Sequence, residues 1–219
     1  MSVRVAREFQ GRWTSFWATS YSFELELFDE YLFRRLGEPP LNATLLVDFR
    51  RLATSLAALG PEDARRLQRA NRDYLLRGIP IGGSFHPKTY FLGNAKEGVL
   101  LVGSGNLTLR GIEEGHELFA RLDSREPDDL PSIRGWCNWM DSIVDRAADR
   151  EVNYRWLDLK QRAAWLEGSA EGSRFVSNLR QCMLDQLAAP LAAPVDELHV
   201  LAPYYDRHAK ALRALLDRL

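Results

Sequence analysis

Two side chains that could carry out chemistry, His86 and Lys88, are separated by a single proline. The alternating pattern of residues 85–92 predicts a strand, and residues i and i+2 of a strand point to the same face. The imidazole and the ammonium group would then converge, so that a nucleophile or proton carrier stands beside a fixed positive charge. A tripeptide is not specific by itself, and an exposed polar strand face is the alternative interpretation.

A second polar cluster, Gly-Ser-Gly-Asn at 103–106, follows the next predicted strand at 99–103. Glycines let a ligand approach the backbone closely, and serine and asparagine offer hydrogen-bond donors that suit phosphate oxygens. An ordinary strand-to-helix turn would use the same residue types. The two motifs are more informative together, because neighbouring strands would place His86, Lys88 and Asn106 around one anion-sized space.

The stretch FHPKTYFLGNAKEGVLLVGSGNLTLRGIEEGHELFARLD at 85–123 resembles the phospholipase D-like superfamily, whose signature is HxK, a spacer that often contains Asp, and GSxN. Glu117 fits the same pattern, since the family has an acidic or amide residue at this distance after the Asn. The resemblance covers residues 13–125, where it looks like the N-terminal part of two-motif bacterial nucleases, and resumes faintly at 197–219.

The resemblance implies a role for each matching residue. His86 corresponds to the nucleophile, or its partner general acid, in the attack on a phosphodiester. Lys88 and Asn106 correspond to the donors that bind the phosphate and stabilise charge in the transition state. Ser104 corresponds to a supporting hydroxyl, and Glu117 to the carboxylate that orients His86. The implied chemistry needs no metal and no cofactor: one histidine forms a phosphohistidine and a second histidine, from another HxK motif, protonates the leaving group.

The sequence departs from the family pattern at two glycines. The family's Asp falls on Gly93, and an Asn that often precedes the Glu by two positions is replaced by Gly115. Because that Asp is mainly structural in the family, we expect the first departure to be tolerated.

A complete site of this family takes two motifs, and the sequence contains one HxK followed by GSxN. His208-Ala-Lys210 also fits HxK as text, but it lies in a helical pattern, where residues i and i+2 diverge, and no GSxN follows it. The second motif is therefore expected from the other chain of a homodimer, from a partner chain, or from a C-terminal region beyond Leu219. The weak strand–helix repeat that begins at Glu197 favours the C-terminal region.

The elements that must position these residues alternate between strands and helices, which predicts an α/β fold. The resemblance implies a phospholipase D-like mixed β-sheet flanked by helices in α-β-α layers, with a helical segment after the first motif. The predicted strands are a short one within 13–22 and those at 43–49, 74–81, 85–92, 99–103, 117–123 and 197–203. The predicted helices are 23–36, 50–59, 61–69 and 205–219, with helical spacing through 131–187. We expect a first phospholipase D-like half at 1–128, a helical segment at 129–190 and the start of a second half at 195–219, with a linker at 188–195.

The composition excludes several classes of protein. Hydrophobic residues make up 46%, which rules out disorder as the main state, and 29 basic against 30 acidic residues exclude a globally basic nucleic-acid binder. A local basic groove stays open, with Arg50, Arg51, Arg77 and Arg110 as candidates. The sequence has no apolar stretch of membrane-spanning length and no signal peptide at its start, so we expect a cytoplasmic protein. Two cysteines without CxxC spacing suggest neither a zinc site nor a disulfide framework.

Three functions compete at this stage. The leading hypothesis is a metal-independent phosphodiesterase, a nuclease of restriction or phage-defence type, whose partner is nucleic acid, DNA rather than RNA, and not a membrane. A phospholipase or phosphatidyltransferase could use the same site, but the sequence lacks an amphipathic membrane-docking segment. The third hypothesis is a catalytically inactive assembly or nucleic-acid-binding module of a larger complex.

Overall fold

The computed structural model describes residues 5–10, 13–36, 42–61, 69–179, 181–189, 195–200 and 206–218. The chain divides into two compact units, Met1–Ser173 and Arg174–Leu219. The first unit contains the sheet and the predicted site. In the described parts of the chain, no helix is long and apolar enough to cross a membrane.

The first unit is built on one mixed sheet. Its strands are β1 (Ser15–Ser20), β2 (Asn42–Asp48), β3 (Leu75–Ile79), β4 (Thr89–Gly93), β5 (Gly98–Gly103) and β6 (Phe119–Asp123), in the order β3-β2-β1-β4-β5-β6. β1, β2 and β3 pair in parallel, whereas β4 pairs antiparallel with β1 and β5, and β5 antiparallel with β6. This mixed sheet with flanking helices confirms the predicted α/β fold class.

Helices flank the sheet in the first unit, and the second unit also contains helices. In the first unit they are α1 (Val5–Glu8), α2 (Phe49–Ala57), α3 (Leu130–Ala147) and α4 (Arg150–Arg162), with π-helical turns at Leu27–Leu32 and Arg110–Glu114 and 3-10 turns at Phe33–Arg35 and Ala164–Leu166. The second unit contains α5 (Met183–Ala188) and α6 (Lys210–Leu216). The predicted helix at 23–36 is thus present as a π-helical turn followed by a 3-10 turn.

Both faces of the sheet are buried, because consecutive residues of β1 pack against different layers. Phe16 stacks on Phe28 of the π-helical turn, with ring centroids 5.6 Å apart. Trp17, the next residue, contacts Trp156 of α4 on the opposite face, at 5.0 Å. A strand with helices on both faces reads as a continuous apolar run, which is the pattern that predicted β2.

Two tryptophans of the helical layer are packing residues. Trp136 and Trp156 are buried, at 0% and 2% exposure. Trp136 also stacks on Phe91 of β4 at 4.9 Å, and its indole N–H donates to Thr89 Oγ1 at 3.1 Å. The helical layer therefore holds the beginning of β4, the strand that follows the His-Pro-Lys motif.

Several sequence predictions need correction. β4 begins at Thr89 rather than at residue 85, since Pro87 has no N–H to donate to a neighbouring strand. Residues 197–200 are exposed and lie outside any strand. A strand requires a partner for its backbone hydrogen bonds, and these residues are not paired in this way. The helical pattern predicted through 131–187 is interrupted after the 3-10 turn that ends at Leu166. Residues 62–68 of a predicted helix, 190–194 of the predicted linker and 201–203 of the last predicted strand lie outside the described residues.

Candidate active site

The predicted site residues lie at one edge of the sheet, here called the site edge, where β1, β2, β3 and β5 end and β4 and β6 begin. The pairing shows this directly: Thr19 near the end of β1 faces Thr89 at the start of β4, and Gly103 at the end of β5 faces Phe119 at the start of β6. The residues that enter or leave these strands therefore gather along one line.

His86 and Lys88 converge, as their spacing predicts, although the backbone that carries them is the irregular segment before β4. The Lys88 Nζ lies 2.7 Å from Nδ1 and 3.4 Å from Nε2 of His86, and donates to the His86 carbonyl oxygen at 2.9 Å. Lys88 is only 6% exposed, whereas His86 is exposed. The motif thus presents an accessible imidazole with a buried cation against it.

The surroundings of these two residues shift both pKa values downward. Burial lowers the pKa of the Lys88 ammonium to about 8, against an opposing contribution from the Glu117 carboxylate. Burial and the charge of Lys88 lower the pKa of His86 from 6.5; Arg51 adds to this shift, and Asp48 opposes it. At neutral pH the imidazole is therefore uncharged, the state in which a ring nitrogen can act as a nucleophile or base.

Ser104 and Glu117 form a pair across the β5–β6 connection. The Ser104 hydroxyl donates to Glu117 Oε2 at 2.5 Å and accepts from the Leu118 N–H at 3.1 Å. Among the hydrogen bonds of the described residues, Glu117 has none to His86, the contact that the resemblance implies. The carboxylate instead lies close enough to Lys88 to oppose the loss of its proton.

Asn106 is oriented by the end of β1. Its Oδ1 accepts from the Ser22 N–H at 3.3 Å and from the Ser20 hydroxyl at 3.4 Å. The oxygen is engaged in this way, whereas the amide NH2 donates to none of the described residues and is the part of the side chain that can donate to an anion. The turn that carries Asn106 is also anchored from β4, since the buried Tyr90 hydroxyl donates to the Gly105 carbonyl oxygen at 2.7 Å.

Asp48 is a site residue that the sequence analysis missed. It is 4% exposed, and its Oδ2 accepts from the Phe85 N–H at 2.9 Å while its Oδ1 accepts from the Arg51 N–H at 3.0 Å. One carboxylate thus caps α2 and holds the residue before His86. An Asp between an apolar run and a helical pattern is a typical N-cap, so this signal was available in the sequence.

Tyr21 was also missed, and Arg51 was expected only as a groove residue, because no pattern in the sequence links either of them to His86. The Tyr21 ring lies against the His86 ring, with centroids 4.3 Å apart. The Arg51 guanidinium carbon lies 4.7 Å from the centre of the Tyr21 ring, and Lys88 Nζ lies 5.8 Å from it. Tyr21 is therefore a neighbour of both the imidazole and two cations.

The four arginines proposed to line a groove fall into two groups. Arg77 is engaged, since its Nε lies 2.7 Å from Asp149 Oδ2. Arg50, Arg51 and Arg110 are exposed and have no ion pair with any residue that the structure describes. Arg50 and Arg51 begin α2 at the site edge, so the local positive charge lies on the β2 side of His86.

The two glycines that depart from the family pattern are required by packing. A Cβ at Gly93 would lie 2.7 Å from the Phe91 ring, and a Cβ at Gly115 would lie 2.3 Å from the Arg110 carbonyl oxygen. Carbon atoms essentially never approach so closely, so a side chain at either position would force a shift. The absence of the family's Asp at position 93 therefore has a local structural reason.

The second match to HxK, His208-Ala-Lys210, lies at the N-terminal end of a helix. The backbone N–H groups of His208 and Lys210 both donate to Asp206 Oδ1, at 3.3 and 2.8 Å, at the start of α6. Both side chains are exposed. This is the arrangement of a capped helix terminus, in line with the interpretation of this match as coincidental.

The site edge combines a neutral imidazole, an ammonium group and an amide donor, the set needed to attack a phosphate and stabilise the charge that develops on its oxygens. Across the described ranges, no three or more His, Cys, Asp or Glu side chains converge so that they could hold a metal ion.

Comparison with known proteins gives similarities in structure. No family model and no curated protein matches the chain. Nuc from Salmonella typhimurium, a phospholipase D family member, is 20% identical over 52% of this chain and 68% of its own, with a TM-score of 0.37. NucT from Helicobacter pylori is 12% identical over 65% of this chain and 86% of its own, with a TM-score of 0.44. Yeast tyrosyl-DNA phosphodiesterase is 13% identical over 72% of this chain and 37% of its own, with a TM-score of 0.43.

These values are low, with every TM-score below 0.5. In fold, the chain is similar to members of the phospholipase D family, the family that residues 85–123 resemble in sequence.

Proposed function

We propose that the chain is a phosphodiesterase that cleaves nucleic acid through His86, as a nuclease of restriction or phage-defence type that needs no metal ion. The observation that carries this proposal is the contact of 2.7 Å between His86 Nδ1 and the buried Lys88 ammonium, at the edge of the sheet where the turn with Asn106 also lies. The choice of nucleic acid rests on the resemblance of residues 85–123 and on the unpaired arginines at the start of α2.

The reaction follows from these groups. A phosphodiester anion is a stronger acceptor than an imidazole, so it takes over donors of Lys88 and frees the ring nitrogen. That nitrogen forms a bond to phosphorus while the bond to the leaving oxygen breaks, and a second histidine protonates the leaving oxygen. Water then attacks phosphorus and gives a proton to the second histidine, which is now neutral, while the bond between phosphorus and His86 breaks and the phosphate product leaves. Lys88 and Asn106 stabilise the charge on the non-bridging oxygens in both steps.

The second histidine is expected from another HxK motif, supplied by a second copy of the chain, a partner chain or a C-terminal region. His116 and His199 do not stand in an HxK motif. His208 stands in one as text, but no GSxN follows it in the sequence. A second copy would make the specific activity rise with protein concentration, because dimerisation would then complete the site.

The test is cleavage of single-stranded DNA, double-stranded DNA and RNA in EDTA. We expect cleavage by the unmodified protein and a loss on the order of 10³-fold or more in His86→Ala, which lacks the nucleophile. The matched control is His199→Ala, since His199 is exposed and paired with Glu197 at 2.8 Å, and we expect it to leave cleavage unchanged. Cleavage that survives in His86→Ala, or that requires a divalent metal, would contradict the proposal.

A further inference from the structure

The first three residues of α2 (49–51) form an exposed turn whose side chains the proposed reaction does not use. Phe49 is 55% exposed, an unusual state for a phenylalanine that begins a helix beside a buried strand. Arg50 and Arg51 are exposed and unpaired among the described residues. A large exposed aromatic ring and two guanidinium groups without an ion pair thus occur within three successive residues, with the ring over Gly78 and the Arg51 guanidinium on Tyr21.

This 49–51 turn is fixed to the site edge from two sides. Asp48 accepts the N–H of Arg51 and the N–H of Phe85, so the same carboxylate holds the turn and the residue before His86. On the other side, the backbone of β3 lies directly under Phe49, since a Cβ at Gly78 would come within 2.9 Å of Phe49 Cα and 3.0 Å of its ring. The turn is therefore part of a rigid edge.

Arg51 connects the turn to the reactive imidazole. Its guanidinium carbon lies 4.7 Å from the centre of the Tyr21 ring, and the Tyr21 ring lies 4.3 Å from the His86 ring. A substrate whose scissile phosphate lies at His86 would therefore bring a flanking phosphate of the same strand close to Arg51. Arg51 would bind that flanking phosphate by donating hydrogen bonds from its forked guanidinium group.

The aromatic ring distinguishes between kinds of nucleic acid. An exposed ring beside phosphate-binding cations offers a stacking surface to a base, and stacking on protein requires a base that is not already stacked and paired in a duplex. We propose that the 49–51 turn is a binding subsite for single-stranded nucleic acid, in which Phe49 stacks on a base and Arg51 binds the neighbouring phosphate. This inference rests on the proposed function and specifies its substrate.

The test measures binding without turnover. In the His86→Ala protein in EDTA, fluorescence anisotropy gives the Kd for a short labelled DNA strand, for RNA of the same sequence and for the matching DNA duplex. We expect Phe49→Ala and Arg51→Gln to raise the Kd for the single strands about tenfold or more, the effect of losing one stacked base or one phosphate contact, with little change for the duplex. The two single strands show whether DNA or RNA is the better ligand.

Matched controls lie on α4. Tyr154 is a 67% exposed aromatic residue, and Arg150, like Arg51, is an exposed arginine in the first turn of its helix. We expect Tyr154→Ala and Arg150→Gln to bind as the parent does. Phe49→Trp keeps an aromatic surface and is expected to retain the affinity for single strands.

Three results would overturn the inference: equal Kd values for the parent and both turn variants, equal losses for duplex and single strands, or a change in molecular mass by light scattering in Phe49→Ala, which would assign the turn to contact with a second copy. The cleavage assay is separate. If His86-dependent cleavage occurs while binding is insensitive to the turn, the inference fails alone; if binding depends on the turn but no cleavage occurs, the proposed reaction fails alone.

Discussion

Lys88 is a lysine at 6% exposure, although lysine is almost never fully buried without a partner. Its ammonium group is held by the ring and the carbonyl oxygen of His86, and Glu117 lies close enough to oppose deprotonation. The protonation states of His86 and Lys88 are coupled, because a positive charge on one group disfavours a positive charge on the other. Their protonation states therefore define the pH range in which the site can work.

The pH dependence of cleavage follows from these shifts. His86 must be neutral to attack, and its pKa is held below 6.5, so the acid limb of kcat/KM is expected below that pH. Lys88 must be charged to bind phosphate, and its pKa is about 8, so activity is expected to fall as the pH rises through about 8. The measurement is kcat/KM against pH. In Lys88→Arg, whose guanidinium stays protonated, the residual activity is expected to lack the alkaline limb; an unchanged alkaline limb would assign it to another group.

At the scale of elements, β4 determines the geometry of the site. Because Pro87 has no N–H, β4 begins only at Thr89, and His86 and Lys88 lie in an irregular segment before it. Trp136 of the helical layer donates a hydrogen bond to Thr89. At the other end of β4, Gly93 leaves room for the Phe91 ring, which stacks on Trp136. Trp136 thus contacts β4 at its first residue, Thr89, and at its middle residue, Phe91.

Restoring the family's Asp at position 93 is therefore expected to destabilise the protein. A Cβ there would lie 2.7 Å from the Phe91 ring, and overpacking of this kind costs about 1–3 kcal/mol. We expect Gly93→Ala to lower the Tm by several degrees and Gly93→Asp to lower it further, because the buried position would also receive a charge. Gly82→Ala is the control, since no atom lies within 4 Å of a Cβ there. Equal Tm values for the Gly93 and Gly82 variants would contradict this account.

The sequence predicted the elements well where local patterns dominate. The apolar run predicted as 43–49 is β2, and residues 99–103 lie within β5. The motif residues of the β4–β5–β6 meander could be placed together because consecutive strands of a meander are neighbours. Strand ends were less predictable: the alternation of residues 85–92 continues past Pro87, although the pairing does not.

The rest of the site depends on contacts between residues far apart in the sequence. Tyr21 follows β1 and reaches His86 only because β1 pairs with β4. No local pattern encodes that pairing, so the neighbours of the imidazole could not be named in advance. Glu117 was predicted to orient His86, but the β5–β6 connection gives it Ser104 as its partner.

At the scale of the whole molecule, the core cluster of the first unit encloses a carboxyl group. Asp29 is 6% exposed, its Oδ1 accepts from the Tyr74 hydroxyl at 2.5 Å, and its Oδ2 has no hydrogen-bond partner. Burial raises the pKa of Asp29, and the Tyr74 hydrogen bond and the charge of Arg69 offset this only in part. The core therefore favours the protonated carboxyl group.

The contribution of Asp29 to stability depends on pH because the pKa of its carboxyl group is raised in the folded state. The raised pKa means that the folded state holds the proton more tightly than the unfolded chain, so the contribution of Asp29 to stability declines as the pH rises through the titration of this group. Asp29→Asn cannot ionise and still accepts from Tyr74. We expect the free energy of unfolding of Asp29→Asn, relative to the unmodified protein, to increase from acid to neutral pH in urea titrations. Exposed Glu171→Gln should show no such trend; a constant difference for Asp29→Asn would refute the assignment.

The order of the strands also has a consequence for folding. β4 pairs with β5 across residues 94–97 and β5 with β6 across 104–118, whereas β1 pairs with β2 across 21–41 and with β4 across the whole of 21–88. Contacts that close long loops form later, because the entropy of closure precedes any gain from pairing. The meander that carries His86, Lys88, Ser104 and Asn106 can thus form by itself, while Tyr21 and Asp48 arrive only when the parallel strands dock. When the whole chain refolds, the reactive motif would form before Tyr21 and Asp48 reach it, and the imidazole would acquire its native environment in the last stage of folding.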